Sequence, residues 1–169
     1  MERTPISWIE AEPDRVELEK REMADRAPEM AWREGEDLPS GGFEGLAPEW
    51  PFDRDPPEKL DRLTEGKQLS VQVRFFEGYP AQPPRLFALD PEPSVEERLR
   101  EEVHVNGDGS ICLILHPSDW SSSECAVELV TKASGWFLEY LAVGRGLIEA
   151  MSPAGMFANT ELDAKIEEL

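Results

Sequence analysis

The most regular stretch of the chain is Gln68-Leu69-Ser70-Val71-Gln72-Val73-Arg74-Phe75-Phe76, in which polar and apolar side chains alternate as far as Phe75. Successive side chains of a β-strand point to opposite faces, so this period of two predicts a strand with one face in a core. The run at 79–84 contains three prolines, which cannot continue a hydrogen-bonded ladder. Residues 85–89 then predict the returning strand of an antiparallel meander.

The residues that precede this strand predict one helix and then a proline-rich interval. Pro13 opens an amphipathic helix at about 13–27, and Pro28 ends it. Nine of the fifteen prolines lie between Pro48 and Pro93. Proline lacks a backbone donor and clashes with the preceding helical turn, so this interval excludes a long helix. We expect strands and loops there.

Helical spacing returns after the meander. Residues 94–102 predict a short solvated helix. After Trp120, Ser121 and Glu124 have the spacing of a capping box. Apolar residues then recur every three to four positions over 126–141, which predicts a helix whose apolar face belongs to the core.

The chain is predicted to form one domain from all 169 residues, with strands and helices together. Its core is expected at about 30–143, followed by a short tail at 153–169. Within that tail a final helix at 160–169 would direct Leu162 and Ile166 inward.

The balance of acidic and basic residues disfavours two classes of function, the binding of nucleic acids and the binding of membranes. Thirty-six acidic residues against 17 basic ones give a formal net charge of -19, which repels nucleic-acid phosphates and anionic lipid surfaces. The chain has no signal-peptide pattern, no apolar run of transmembrane length and only two cysteines. We therefore predict a cytoplasmic protein that binds neither nucleic acid nor membranes, with no disulfide between Cys112 and Cys125.

The candidate reactive residues lie in one segment of the sequence, His104-Val105-Asn106-Gly107-Asp108-Gly109-Ser110-Ile111-Cys112-Leu113. It places Cys112 directly after a tight polar turn. Cys112 has four interpretations, of which the plainest is a small buried side chain. A zinc site from the two histidines and two cysteines lacks the close ligand pairs of structural zinc sites, so no metal is expected.

The other two interpretations make Cys112 reactive. A cysteine hydrolase would need His116 or His104 to activate the thiol, and no third residue is available to fix that histidine. A transthiolation carrier instead needs a thiol that attacks a thioester and also leaves from one. The absence of Lys and Arg between Arg100 and Lys132 suits this role, and the Asn106 amide could donate to an oxyanion.

Cys125 is the competing thiol. At the amino terminus of a helix, the helix dipole would lower its pKa. Because it lies beside Ala126 on an apolar helix face, we predict a core role for it instead.

Several segments together resemble the ubiquitin-conjugating enzyme family. Tyr79-Pro80-Ala81-Gln82-Pro83-Pro84 resembles the family's Tyr-Pro-x-x-Pro-Pro turn, and His104-Val105-Asn106 its His-Pro-Asn motif. Gly109-Ser110-Ile111-Cys112-Leu113 resembles its Gly-x-Ile-Cys-Leu active-site strand. Trp120-Ser121 lies at the family's spacing from the cysteine, so the motifs follow the family's order over roughly 68–141.

The resemblance implies an α+β fold with a four-stranded antiparallel meander, an amino-terminal helix, and a helix after the active-site segment that backs the sheet. Cys112 would carry the thioester, Asn106 would contact the oxyanion, and His104 would brace the turn. The Tyr79–Pro80 peptide bond is the candidate for a cis bond. His116 has no role in the family; we expect an exposed loop histidine, with a proton relay as the alternative.

Val105 replaces the family's proline, and the turn before Cys112 is shorter than the common eukaryotic one. This compact form is similar to bacterial ubiquitin-conjugating-like proteins of antiphage systems. The resemblance therefore implies an activating enzyme, a ubiquitin-like modifier and a JAB-type protease as partners. The chain would need no cofactor of its own, because the activating enzyme uses the ATP. The alternative is a non-catalytic binding module with the same fold.

Overall fold

The computed structural model describes residues 6–152 and 160–169. Within these residues the chain forms an α+β fold around one antiparallel sheet, in which four strands follow one another in sequence order. The strands are β1 (Met30–Gly35), β2 (Leu38–Leu46), β3 (Ser70–Arg74) and β4 (Arg85–Asp90). The expected α+β class and four-stranded antiparallel meander are confirmed.

The alternating stretch forms the centre of the sheet. β3 pairs with β2 on one side and with β4 on the other, with Val73 opposite both Phe43 and Leu86. The apolar positions are buried as predicted, and Val71 and Val73 are both 0% exposed. Gln72 on the opposite face is also buried, and its side-chain amide is satisfied by donating to Glu44 at 2.8 Å.

The described residues also form six α-helices. They are α1 (Trp8–Ala11), α2 (Pro13–Arg26), α3 (Leu60–Thr64), α4 (Val95–Arg98), α5 (Ala126–Gly144) and α6 (Thr160–Glu167). The helices predicted at 13–27 and 126–141 are confirmed. The one predicted at 94–102 is shorter, because α4 gives way to a 3-10 turn at Glu101–Val103.

One helix was not anticipated. The interval between Pro48 and Pro93 was expected to hold strands and loops, yet α3 lies within it. Its five residues fall between Pro57 and the left-handed Glu65, in a gap that the prolines leave open. The prediction was wrong here because the exclusion by proline applies to long helices and leaves short ones free to form.

α5 backs the sheet and supplies much of the core. Its residues Val130, Ala133 and Trp136 are 0% exposed and belong to one cluster with Val71 and Phe43 of the sheet. Full burial of a large apolar side chain stabilises a fold by roughly 1.5–3 kcal/mol. This part of the helix is therefore fixed against the sheet.

The carboxy-terminal helix completes a second, smaller cluster. Leu162 and Ile166 of α6 are 6% and 0% exposed and pack with Leu63 of α3 and Leu138 of α5. Their predicted inward orientation is confirmed. The part of the predicted tail at 153–159 lies outside the described residues.

The start of α5 differs from the prediction. Ser121 and Glu124 do pair, since the Glu124 carboxylate accepts from the Ser121 amide at 2.7 Å, but this closes a turn before the helix. The N-cap of α5 is Cys125. The first amide of the helix, that of Ala126, donates instead to the Glu19 carboxylate of α2 at 2.8 Å. A distant buried side chain therefore replaces the local cap.

Within the described residues, no helix combines the length and the hydrophobicity of a transmembrane span.

Candidate active site

The run that carries Cys112 forms a short hairpin. Val105 and Ile111 make an antiparallel bridge, and the Cys112 amide donates to the His104 carbonyl at 2.8 Å. The turn between them needs glycine, because Gly109 has a positive φ of 89°. This backbone pattern fixes the position of Cys112 relative to the turn.

The hairpin is attached to both layers of the fold. The Ile111 amide donates to the Leu86 carbonyl at the edge of β4 at 2.8 Å, and its side chain is buried. On the other side, the Trp136 indole of α5 donates to the Val103 carbonyl at 2.8 Å. Cys112 is thus carried by a loop with rigid supports at both ends.

A cleft of about 740 Å³ opens beside the thiol. Cys112 and Asn106 both line it, together with the proline pair and apolar side chains. These further lining residues include Phe76, Pro83, Pro84, Leu113 and Ile114. The thiol is half-buried and lies 3.8 Å from the Ile114 carbonyl oxygen. One side of the sulfur is therefore accessible from the cleft, and the other side contacts the backbone of the loop.

A chain of hydrogen bonds orders the polar turn. The Asn106 side-chain amide donates to the Ser110 hydroxyl at 3.0 Å, and that hydroxyl donates to the Asp108 carboxylate at 2.6 Å. The Arg85 guanidinium donates to the other carboxylate oxygen of Asp108 at 2.7 Å. The Asn106 side chain itself is exposed, so its orientation depends on these hydrogen bonds.

The charges of the cleft are paired with each other. Partial burial acts to raise the pKa of Asp108, but the hydrogen bonds from Ser110 and the positive charge of Arg85 outweigh it. The resulting pKa lies below the usual range. Arg85 and Asp108 are the charged residues in the cleft lining, and they neutralise one another. The cleft is therefore close to neutral in a strongly acidic protein.

His104 contributes to the hairpin through its backbone. It adopts the left-handed conformation at φ 52°, and its carbonyl accepts the Cys112 amide. Its side chain acts electrostatically on Glu139 of α5, which is 1% exposed and accepts from the Ser152 hydroxyl at 2.7 Å. Burial raises the pKa of Glu139, while the hydrogen bonds of Ser152 and the charge of His104 act in the opposite direction.

His116 is exposed and begins a 3-10 turn, with its amide donating to the Asp119 carboxylate at 2.9 Å. The lining of the cleft, as far as the chain is described, includes neither His116 nor His104. The described residues also contain no group of three or more His, Cys, Asp or Glu side chains placed to hold a metal ion.

The remaining motif residues are brought together near the cleft. The Tyr79–Pro80 bond is cis, as predicted, and the Trp120 indole donates to the Pro80 carbonyl at 2.9 Å. Pro83 and Pro84 continue from this point into the cleft wall. Asp90–Pro91 is a second cis bond, which was not predicted.

Cys125 has different surroundings. It is half-buried, unpaired with Cys112, and packed against the core cluster, as the predicted core role requires. Burial and the negative charge of Glu19 raise the pKa of its thiol to about 11. The expected lowering by the helix dipole is therefore overturned by burial of the thiol, to which the buried carboxylate at the same helix end adds.

Sequence reasoning missed two residues of this site, Arg85 and Asp108. From the sequence, Asp108 was interpreted only as a turn former. An Asp side chain in a turn can, however, accept a hydrogen bond from the backbone amide two residues further on, which here is that of Ser110. Arg85 gave no local signal, because it reaches the turn from β4, which is 23 positions away in sequence.

Comparisons of this chain with protein-family models and with curated proteins return no match.

Proposed function

We propose that the chain is a ubiquitin-like-conjugating enzyme that carries a protein carboxy terminus as a thioester on Cys112 and transfers it to an amine. The observation that carries this proposal is the shared cleft of Cys112 and Asn106. A carrier needs a thiol and a neutral hydrogen-bond donor at one opening, and these two side chains meet that requirement.

The state of Asn106 suits a donor role. A side-chain amide has two N–H groups, and one of them is used by the Ser110 hydroxyl. The second N–H is left for an oxyanion in the cleft. Because Ser110 is itself anchored by Asp108, the donor would be oriented before the substrate arrives.

In the proposed reaction the Cys112 thiolate attacks the thioester of a charged activating enzyme, and the partner's thiolate leaves. An amine then attacks the new thioester carbonyl. Asn106 donates to the tetrahedral oxyanion and the Cys112 thiolate leaves. The proton that the amine loses passes to this thiolate, so the products are the amide and the free thiol. The near-neutral, partly apolar cleft suits a polypeptide terminus better than a nucleotide, because Arg85 is already paired with Asp108.

The resemblance to ubiquitin-conjugating enzymes is supported by several features together. These are the four-stranded meander, the helix that backs it, and the hydrogen bond from the Trp120 indole to the Pro80 carbonyl of the proline turn. The same resemblance carries the proposed setting: a bacterial cytoplasmic pathway in antiphage defence. Its other members would be an activating enzyme that uses ATP, a ubiquitin-like modifier and a JAB-type protease.

The hydrolase alternative receives less support. It needs an imidazole beside the thiol, whereas both histidines lie outside the described lining of the cleft. A binding module would retain the cleft without using the thiol. It predicts modifier binding that does not depend on Cys112.

The direct test is a charging reaction with the activating enzyme, ATP and the modifier. We expect an adduct that reducing agent cleaves, that Cys112→Ala abolishes, and that the matched variant Cys125→Ala retains. An adduct that persists in Cys112→Ala but disappears in Cys125→Ala would contradict the assignment. Stable modifier binding in Cys112→Ala, with no thioester under any condition, would favour the binding module.

The role of Asn106 is tested by separating the two half-reactions. Asn106→Ala should charge normally and discharge to amines on the order of a hundredfold more slowly, since one oxyanion donor is lost. Ser110→Ala should slow discharge less, because it releases the orientation of Asn106 and leaves the donor in place. Equal loss of charging and discharge in Asn106→Ala would instead indicate a structural role.

A further inference from the structure

Helix α4 and its C-cap expose two aliphatic side chains on one face. Val95 and Leu99 are 69% and 81% exposed, whereas most large apolar residues of the described chain are buried. They are four positions apart, so they lie next to each other along the helix. Together they form an apolar ridge in water.

This ridge belongs to an ordered segment. A complete capping box between Ser94 and Glu97 closes the start of α4. The Tyr140 hydroxyl of α5 donates to the Glu97 carboxylate at 3.0 Å, and burial with that carboxylate raises the pKa of Tyr140 to about 12. The Arg98 guanidinium donates to Glu92 at 2.9 Å. These hydrogen bonds fix the position of α4 on the fold, and with it the position of the exposed ridge.

The rim of the ridge is acidic. Segment 90–102 contains six acidic residues and two arginines. Both arginines already pair within the segment, Arg98 with Glu92 and Arg100 with Glu102. Glu96 and Glu101 are exposed and form no ion pair with any described residue. A ligand of the ridge would therefore meet uncompensated negative charge on its borders.

The ridge also lies close to the active-site hairpin. A Cβ added at Gly109 would come within 3.2 Å of an Arg98 side-chain nitrogen, so α4 is in contact with the turn that precedes Cys112. A molecule bound on α4 would lie near the turn that precedes Cys112.

We propose that α4 is a docking surface for a basic amphipathic helix of a partner protein. The aliphatic side of that helix would cover Val95 and Leu99, since a ridge of residues four apart packs into the groove of another helix. Its lysines or arginines would face Glu96 and Glu101. We name these four residues the α4 patch.

The test uses the full chain and a synthetic leucine–lysine peptide of about 18 residues, which form five helical turns. Backbone amide NMR should show shifts centred on 94–101. The double variant Val95→Ser/Leu99→Ser should raise the dissociation constant at least about tenfold. Its matched control is Ile6→Ser, which removes an equally exposed aliphatic group elsewhere and should bind like the parent protein.

Charge reversal separates the acidic rim from general attraction. Glu96→Lys/Glu101→Lys should weaken binding several-fold at low salt and less at high salt, because exposed charges are screened. Glu12→Lys/Asp25→Lys makes the same change of charge at two exposed positions, the N-cap of α2 and a residue within it, and should have a smaller effect. The substituted side chains are all exposed, so folding is expected to be retained and is checked by circular dichroism.

Three results would overturn the proposal. Parent-like binding by Val95→Ser/Leu99→Ser is the first, and shifts centred on α2 are the second. The third is a dimer in sedimentation that Val95→Ser/Leu99→Ser dissociates, which would assign the α4 patch to a second copy. The peptide measurement involves no thiol chemistry, so it tests the α4 patch whatever Cys112 does.

Discussion

The two cysteines of this chain occupy opposite kinds of surroundings. Cys112 borders an open cleft in which Arg85 and Asp108 neutralise each other. Cys125 lies at the start of α5, where burial and Glu19 raise its pKa to about 11. A helix amino terminus alone would have favoured Cys125 as the reactive thiol. The comparison shows that burial of the thiol, together with the nearby Glu19 carboxylate, outweighs the helix dipole.

The Cys125 side of this comparison depends on Glu19. This carboxylate is 0% exposed and accepts hydrogen bonds from Tyr79, Arg15 and the first amide of α5. Glu19→Ala would leave all three donors without their shared acceptor and should lower the free energy of unfolding by about 3–5 kcal/mol.

Urea unfolding measures this effect, with Glu17→Ala as the matched control. Glu17 is on the same helix, but its side chain is 74% exposed, so its loss should cost less than about 1 kcal/mol. Similar losses in the two variants would show that the buried network has no special weight.

Alkylation compares the thiols directly. At pH 8 Cys112 should react with iodoacetamide at least about tenfold faster than Cys125, because a thiol of pKa about 11 is almost entirely protonated there. Mass spectrometry of the two cysteine peptides gives both rates in one sample. Faster labelling of Cys125 would reverse the comparison.

Loss of the Asp108 carboxylate should have a smaller effect on the Cys112 side. Asp108→Asn weakens the hydrogen bonds with Arg85 and Ser110 and should lower the free energy of unfolding by about 1 kcal/mol. Because the folded-state pKa of Asp108 is lowered, its stabilisation is present above its ordinary pKa of 3.8 and is lost as the pH falls through the folded value.

The corresponding measurement is unfolding at several pH values. The parent protein should lose its advantage over Asp108→Asn in acid. An advantage that persists unchanged into strong acid would mean that the carboxylate does not stabilise the hairpin through its charge.

Glu139 should show the reverse pH dependence, with the smallest effect. Its folded-state pKa is raised, so its contribution to stability is present below its ordinary pKa of 4.5 and declines as the pH rises through the folded value. Relative to Glu139→Gln, the parent protein should become less stable from acid to neutral pH. Thermal unfolding along this pH range checks the sign, and the opposite slope would contradict the assigned burial.

The local parts of the fold were predictable from sequence. The alternation in β3 and the apolar spacing in α5 each involve residues that are close in sequence. Both patterns are therefore visible in the sequence itself. The glycine-rich β2 was expected only through the resemblance, since glycine does not favour strands. The structure gives the reason: a Cβ at Gly42 would come within 2.1 Å of the Val73 carbonyl oxygen.

The same division applies to the candidate site. Cys112 and Asn106 belong to one short run, and the turn residues between them predict their proximity. The pairing of Asp108 with Arg85 and the capping of α5 by Glu19 join residues 23 and 107 positions apart. Such contacts arise from the packing of distant elements and leave no local pattern.

The most direct test of the proposed carrier role is the variant Cys112→Ser, incubated with the activating enzyme, ATP and the modifier. A serine hydroxyl in place of the thiol should form an oxyester that survives reducing agent, is cleaved by hydroxide, and maps to position 112 by mass spectrometry. An adduct that reducing agent still cleaves, or one that maps to Cys125, would contradict Cys112 as the residue that carries the acyl group.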